Sequence, residues 1–296
     1  MSEIRIKNLT KDYGNNKGVF DLSFEINKGE VFGFIGPNGA GKTTTIRQLM
    51  GFTHPDKGEC YIKDMDCSKE SARIKEYLGY LPGEIAFMDE MTGHEFIHFM
   101  ASMRNQTDLT YAKKLIDMFE YDPSGKIKKM SKGMKQKLGI VCAFMHDPDI
   151  LILDEPTSGL DPLMQNRFVD LILMEKKKGK TILMSSHIFE EVEKTCDRVG
   201  IIKNGHLMTV DLIYDLKERK QKKYLVTFKH KEEAENAAKD RNDVEYISEN
   251  QVMFVVKGNI DSLIKCLANY TVISLQEEEQ SLEQVFMLYY GGEKNV

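Results

Sequence analysis

Hydrophobic positions along the 296-residue chain change their period several times, and each change marks an element. Glu3–Leu9 and Val19–Ile26 alternate apolar and polar residues across a polar turn, Asp12–Gly18, which predicts an antiparallel strand pair. Three runs have a continuous apolar centre instead, within Glu30–Ile35, Asp149–Pro156 and Lys180–His187. Unbroken runs of this length predict strands covered on both faces. Cys60–Ile62 and Leu78–Leu81 read as further short strands, with a helical turn at Ser71–Lys75 between them, and Val199–Ile202 with Gly205–Val210 as a hairpin. Helical spacing follows Thr43 (Ile46, Leu49, Met50) and runs from Thr92 to about Glu120 (Phe96, Phe99, Met100, then Ala112, Leu115, Ile116, Phe119). It returns after Ser131 with Leu138, Ile140, Val141, Ala143 and Phe144. The block at about 85–135, set between strand-rich segments, predicts a helical subdomain whose aromatic stripe is core rather than ligand cage.

Beyond a charged linker at 213–221, the pattern becomes strand Lys222–Lys229, helix Lys231–Lys239, hairpin Val244–Ile247 with Val252–Val256, helix Asn259–Tyr270 and strand Thr271–Leu275. That βαββαβ order predicts a small α+β accessory domain over 222–296. Ser281–Gln284 forms a capping box that opens a last amphipathic helix through Tyr290. The second domain carries no catalytic constellation, and Glu277–Glu279 reads as a solvated edge.

The chemistry begins where the first buried strand meets the first helix. Gly36-Pro37-Asn38-Gly39-Ala40-Gly41-Lys42-Thr43 fits the phosphate-loop spacing, and Thr44 continues it. Glycines at 36, 39 and 41 let backbone N–H groups turn toward phosphates, and the helix N-terminus adds its positive end. Lys42 supplies a point charge for the β- and γ-phosphates, and the Thr43 hydroxyl can ligate Mg²⁺. The second buried strand delivers Asp154 and Glu155 at its C-terminal end, where open α/β sheets place ligands. Beside a phosphate loop, Asp154 would hold Mg²⁺, directly or through water, and Glu155 would polarise the attacking water. His187 ends the third buried strand, where it can reach the same rim or serve structure alone. Tyr13, in the first turn, either covers the sheet edge or offers an aromatic face to a purine. Ser131 caps a helix whose first turn is basic, which suits a docked anion or a solvated turn.

Composition narrows the setting. Lys+Arg 41 against Asp+Glu 46 leaves a net charge of −5, which argues against binding nucleic acid through bulk charge. Five cysteines form no C-x-x-C pair, as expected of a reduced, cytosolic chain. Met1–Ile6 lacks a signal-peptide apolar region and no run approaches a membrane span, so membrane work would need a partner.

The ordered set Gly36–Thr43, Ser131–Gln136, Leu151–Glu155, Ser158–Asp161 and His187 resembles the ATPase subunit of an ABC transporter. The resemblance covers residues 1–212 and implies an α/β phosphate-loop fold: a RecA-like core, an antiparallel β subdomain and a helical subdomain. It implies that Tyr13 stacks on adenine, Gly36–Thr44 is the Walker A loop, and Asp154 closes the Walker B strand. Glu155 becomes the catalytic carboxylate and His187 the switch histidine. Ser158, Gly159, Leu160 and Asp161 match the D-loop. Ser131, Lys132, Gly133 and Met134 fall where the signature motif touches ATP held by an opposite subunit. Met130, Lys132 and Met134 depart from the usual L-S-G-G-Q, and Gln136 lies two residues past the usual glutamine. Gly83 stands where the family has its Q-loop glutamine, which leaves neighbouring Glu84 as a candidate metal-side oxygen. "SKGMKQKL" and "GYLPGE" look most like bacterial exporter ATPases of antibiotic resistance and bacteriocin immunity. Such an ATPase implies ATP and Mg²⁺, a second ATPase subunit, and a membrane permease on a separate chain, with this protein peripheral at the cytoplasmic face. Two other readings are a soluble ABC ATPase acting on ribosomes or DNA and an ATP-gated regulator that does not hydrolyse.

Overall fold

The computed structural model describes residues 2–218, 222–239, 244–256 and 259–278, in two compact units that divide after Ile213. In the first unit, β1 (Ser2–Asp12), β2 (Gly18–Asn27), β4 (Lys57–Ile62) and β5 (Met65–Asp66) form an antiparallel sheet in the order β2-β1-β4-β5. A second sheet uses β3 (Val31–Ile35), β6 (Leu78–Leu81), β7 (Ile150–Asp154), β8 (Thr181–Ser186), β9 (Arg198–Lys203) and β10 (His206–Leu212). Its order is β10-β9-β3-β8-β7-β6, parallel except for the β10 edge.

The apolar runs are the strands of this second sheet, and every residue of β3, β7 and β8 is buried. The alternating segments β1 and β2 bury one face only. Helix α1 (Lys42–Leu49) lies between the two sheets, sending Ile46 and Leu49 into a core shared with Ile4, Leu22, Ile62 and Ile152. Phe24 of β2 stacks on Phe32 of β3 at 5.2 Å and 4° between planes. Such a pair is worth about 1 kcal/mol beyond its buried area and fixes one sheet against the other.

Short α2 (Ser71–Ile74) leads to β6. The predicted block from Thr92 to Glu120 is two helices, α3 (Gly93–Ser102) and α4 (Thr110–Met118). The break falls at Asn105, whose φ is +53°, and Asp108 restarts the chain by accepting the Thr110 N–H. Thr92 opens α3 with a reciprocal capping box: its Oγ1 accepts from Glu95 N at 3.2 Å while its own N–H donates to Glu95 Oε2 at 2.7 Å. The aromatic stripe is core, with Phe96 and Phe119 buried. Helix α5 (Lys132–Phe144) begins at Ser131, whose hydroxyl accepts the Met134 N–H as an N-cap.

Two helices go beyond the sequence reading, which ended at a turn. Asp161 caps α6 (Pro162–Lys177) with proline at its first position, and α7 (Phe189–Thr195) follows β8. The stretch read as linker begins as a helix, α8 (Ile213–Glu218).

In the second unit, β11 (Lys222–Phe228), α9 (Lys231–Ala238), β12 (Val244–Ser248), β13 (Gln251–Val256), α10 (Asp261–Leu267) and β14 (Val272–Glu278) follow the βαββαβ order. The antiparallel sheet runs β12-β13-β11-β14, with β13 inserted between β11 and its hairpin partner, around Phe228, Phe254, Ala234 and Leu263. The Ser281–Gln284 capping box lies outside the described residues.

Candidate nucleotide site

Strand register places the chemistry on one rim. In the parallel sheet, Ile35 pairs with Ser186 and Asp154 with Ser185. The chain therefore leaves β3 into the phosphate loop, β7 into Glu155 and β8 into His187 at the same edge, outside the C-terminal ends of the strands.

The loop is held open by backbone geometry. Gly41 caps α1 at φ +113°, and a Cβ there would lie 2.6 Å from Val19 Cγ1. Glycine is required on both counts. Gly36 and Ala40 brace the loop and do not line the cavity: Gly36 O accepts the Lys42 ammonium at 2.6 Å, and Ala40 O accepts Gly205 N at 2.9 Å. The rest of the loop (Pro37, Asn38, Gly39, Gly41, Lys42, Thr43, Thr44) opens with Tyr13 and Glu155 on a cavity of about 880 Å³. That volume suits a drug-sized or nucleotide-sized ligand. Asn16, Lys17, Phe20, Asn204 and His206 also line it, and none of them was flagged by sequence. Phe20 and His206 stack at 5.3 Å because the β9–β10 turn folds over β2. Tyr13 is 54% exposed at the mouth, and the Lys11 ammonium lies 5.9 Å from its ring centre.

At the inner end, buried Lys42 Nζ lies 3.0 Å from Glu155 Oε1, while His187 Nδ1 donates to Glu155 Oε2 at 2.5 Å. Glu155 joins the phosphate-loop lysine to the strand-end histidine. Its backbone is left-handed, φ +49°, a conformation that costs a non-glycine residue about 1 kcal/mol or more. Ser185 holds it there: the Glu155 N–H donates to Ser185 Oγ at 3.0 Å and to Ser185 O at 3.2 Å. The Ser185 hydroxyl donates in turn to Asp154 Oδ1 at 2.5 Å. Ser185 went unremarked in the sequence, although a serine pair at the end of an apolar strand was the available signal. Behind His187, buried Glu191 accepts from Ser186 Oγ at 3.4 Å, and burial pushes its carboxyl up from the ordinary range.

Asp154 fits a hard cation. The residue is fully buried, and Oδ2 has no hydrogen-bond partner. A buried carboxylate oxygen in that state is costly unless a charge or donor meets it. Among the described residues no cluster of three or more His, Cys, Asp or Glu is placed to hold a metal. Gly83 backs this carboxylate, and a Cβ at 83 would lie 3.2 Å from Asp154 Oδ2. Glu84, the other candidate on the metal side, is exposed, and like Asp154 and His187 it is not among the residues that line the cavity.

The signature and D-loop residues stay out of the cavity. Ser131, Lys132, Gly133 and Met134 open α5, and Ser158, Gly159, Leu160 and Asp161 lead into α6. The two segments touch each other. Lys132 Nζ donates to Ser158 Oγ at 2.9 Å, and a Cβ at Gly133 would lie 2.8 Å from Gly159 O.

Comparison with known proteins agrees with this geometry. The ABC transporter family pattern matches residues 19–158. Linearmycin resistance ATP-binding protein LnrL of Bacillus subtilis (strain 168) is 37% identical over 221 residues, 73% of this chain and 71% of that protein. The chain belongs to the ABC transporter ATP-binding proteins. Within this ABC ATPase family, bacitracin transport ATP-binding protein BcrA of Bacillus licheniformis is 36% identical over 225 residues, 75% of this chain and 73% of BcrA. A solved ATP-binding subunit of an ABC transporter superposes with TM-score 0.67 at 31% identity, over 74% of this chain and 93% of that one. A pattern described as AAA domain, putative AbiEii toxin, Type IV TA system, also matches residues 124–193, the stretch carrying α5 and β7. The ABC ATPase fold and nucleotide-binding, ATP-hydrolysing class of the chain follow from these matches.

Proposed function

We propose that this ABC ATPase hydrolyses ATP between two copies of itself, or between itself and a related subunit, and thereby powers export through a membrane permease on a separate chain. The observation that carries the chemical part is the Lys42–Glu155–His187 constellation at the inner end of the cavity. In this reading Tyr13 takes the base, and the backbone N–H groups of the loop residues that line the cavity take the phosphates. Lys42 exchanges its Glu155 partner for the β- and γ-phosphates. Thr43 and Asp154 would hold Mg²⁺, which supplies charge neutralisation for the phosphates. Glu155, released from Lys42, accepts a proton from the attacking water, and His187 keeps its carboxylate turned to the γ-phosphate position. Ser131–Met134, outside the chain's own cavity, present the N-terminus of α5 to the triphosphate of the other subunit. Phosphoryl transfer asks for positioning and charge neutralisation rather than covalent chemistry, and these residues supply both.

The transport part is supported by relatives named for linearmycin resistance and for bacitracin transport. Among the described residues, no helix is long and apolar enough to cross a membrane, so the permease would be another chain and this subunit would sit at the cytoplasmic face. Cells lacking the chain are expected to become more susceptible to one or more amphiphilic peptide or polyene antibiotics. Resistance should return with the wild-type chain and not with Glu155→Gln. Unaltered susceptibility across such a panel, or equal rescue by Glu155→Gln, would remove export as the function.

A further inference from the structure

We propose that Lys132 and Gln136 form a latch through which the occupant of the α5 N-terminus controls the position of Glu155. One turn into α5, Gln136 is 4% exposed, and its amide donates to Pro156 O at 2.6 Å and reaches Glu155 O at 3.4 Å. At the start of the helix, Lys132 Nζ donates to Ser158 Oγ, and its stem lies across Gly159, where a Cβ would meet Lys132 Cγ at 2.9 Å. Between these two points runs the turn that carries the catalytic carboxylate, closed by Ser158 N donating to Glu155 O at 3.1 Å. The turn holds Glu155 left-handed, so its geometry depends on neighbours. Two of those neighbours are side chains of α5.

Lys132 makes the latch sensitive to an anion. A cation in the first turn of a helix opposes the helix dipole. Lys135, in the same turn, lies 3.8 Å from Asp89, whereas Lys132 is held only by a neutral hydroxyl among the described residues. An anion at the N-terminus of α5 would compete with Ser158 for that ammonium and loosen one end of the 155–158 turn. Gln136 would keep the other end registered to the helix. In the two-subunit arrangement proposed above, on which this inference rests, the anion is the triphosphate bound to the second subunit. Each subunit then senses, through α5, whether its partner is loaded before its own Glu155 is set. Lys132 and Gln136 are positioning residues in this scheme.

The test uses the full chain, assembled with its membrane partner, in ATP hydrolysis measured against ATP concentration. Lys132→Met and Ser158→Ala should each lower cooperativity, bringing the Hill coefficient toward one, and the double variant should be no worse than Lys132→Met alone. Lys132→Arg keeps a donor and should restore cooperativity. Gln136→Leu should lower kcat about tenfold while ATP affinity changes less than about threefold. Multiplying effects of Lys132→Met and Ser158→Ala, or an unaltered Hill coefficient in all of them, would overturn the latch even if Gln136→Leu fails to fold. ATP-driven association of Glu155→Gln, followed by light scattering, separates the two levels. Association without any latch effect would remove the latch alone; no association would remove the two-subunit reading and the latch with it.

Discussion

Replacing Glu155 by glutamine is expected to lower ATP turnover by about 10²–10⁴-fold, the usual contribution of a positioned general base. The substitution preserves the volume of a side chain wedged between Lys42 and His187, 3.0 and 2.5 Å away, so the turn and the rim should survive. What disappears is a group able to take the proton from water. The factor corresponds to about 3–5 kcal/mol of transition-state stabilisation. ATP affinity should hold or rise, because Lys42 no longer gives up an ion pair to meet the phosphates. Steady-state phosphate release and equilibrium nucleotide binding, measured on the same preparation, check both halves. Equal turnover by Glu155→Gln would deny Glu155 its role as the general base.

The second large effect is expected at Lys42. Lys42→Met should weaken ATP binding about 10–100-fold, since a hydrogen bond to a charged group contributes about 1.5–3 kcal/mol. The buried ammonium is anchored by Gly36 O at 2.6 Å and Pro37 O at 3.3 Å, so it is pointed at the loop interior whichever anion it meets. AMP lacks the β- and γ-phosphates that this charge serves, and its affinity should change less than about twofold. Calorimetric titration with the two nucleotides distinguishes the outcomes. A parallel loss for AMP would mean that Lys42 holds the loop together rather than the triphosphate.

The fold was legible where physics demands a pattern. Strands β3, β7 and β8 are buried on both faces and so read as predominantly apolar runs, and β7 ends visibly at Asp154 and Glu155. The phosphate loop was legible because each of its glycines answers a backbone requirement. Helix α6 was missed although Asp161-Pro162 carries the start signal of an N-cap followed by proline. The break between α3 and α4 hid in Asn105–Asp108, whose polar residues sit between two blocks of matching period. Within the site, the individual side chains were legible and their mutual support was not. Ser185 acts through a cross-strand register that no local pattern reveals, and Gln136 acts on carbonyls twenty residues away in sequence. Glu84 offers a charge next to Gly83, but it is at Gly83 that a Cβ would meet Asp154 Oδ2, at 3.2 Å.

The central claim, that this ATPase works for a membrane partner, is tested most directly by purifying the tagged full chain from detergent-solubilised native membranes. A multi-span protein is expected to accompany it in stoichiometric amount and to stay bound when Glu155 is replaced by glutamine. Recovery from the cytosol alone, with ribosomes or with nothing, would contradict the claim and leave an ATPase that acts on a soluble target.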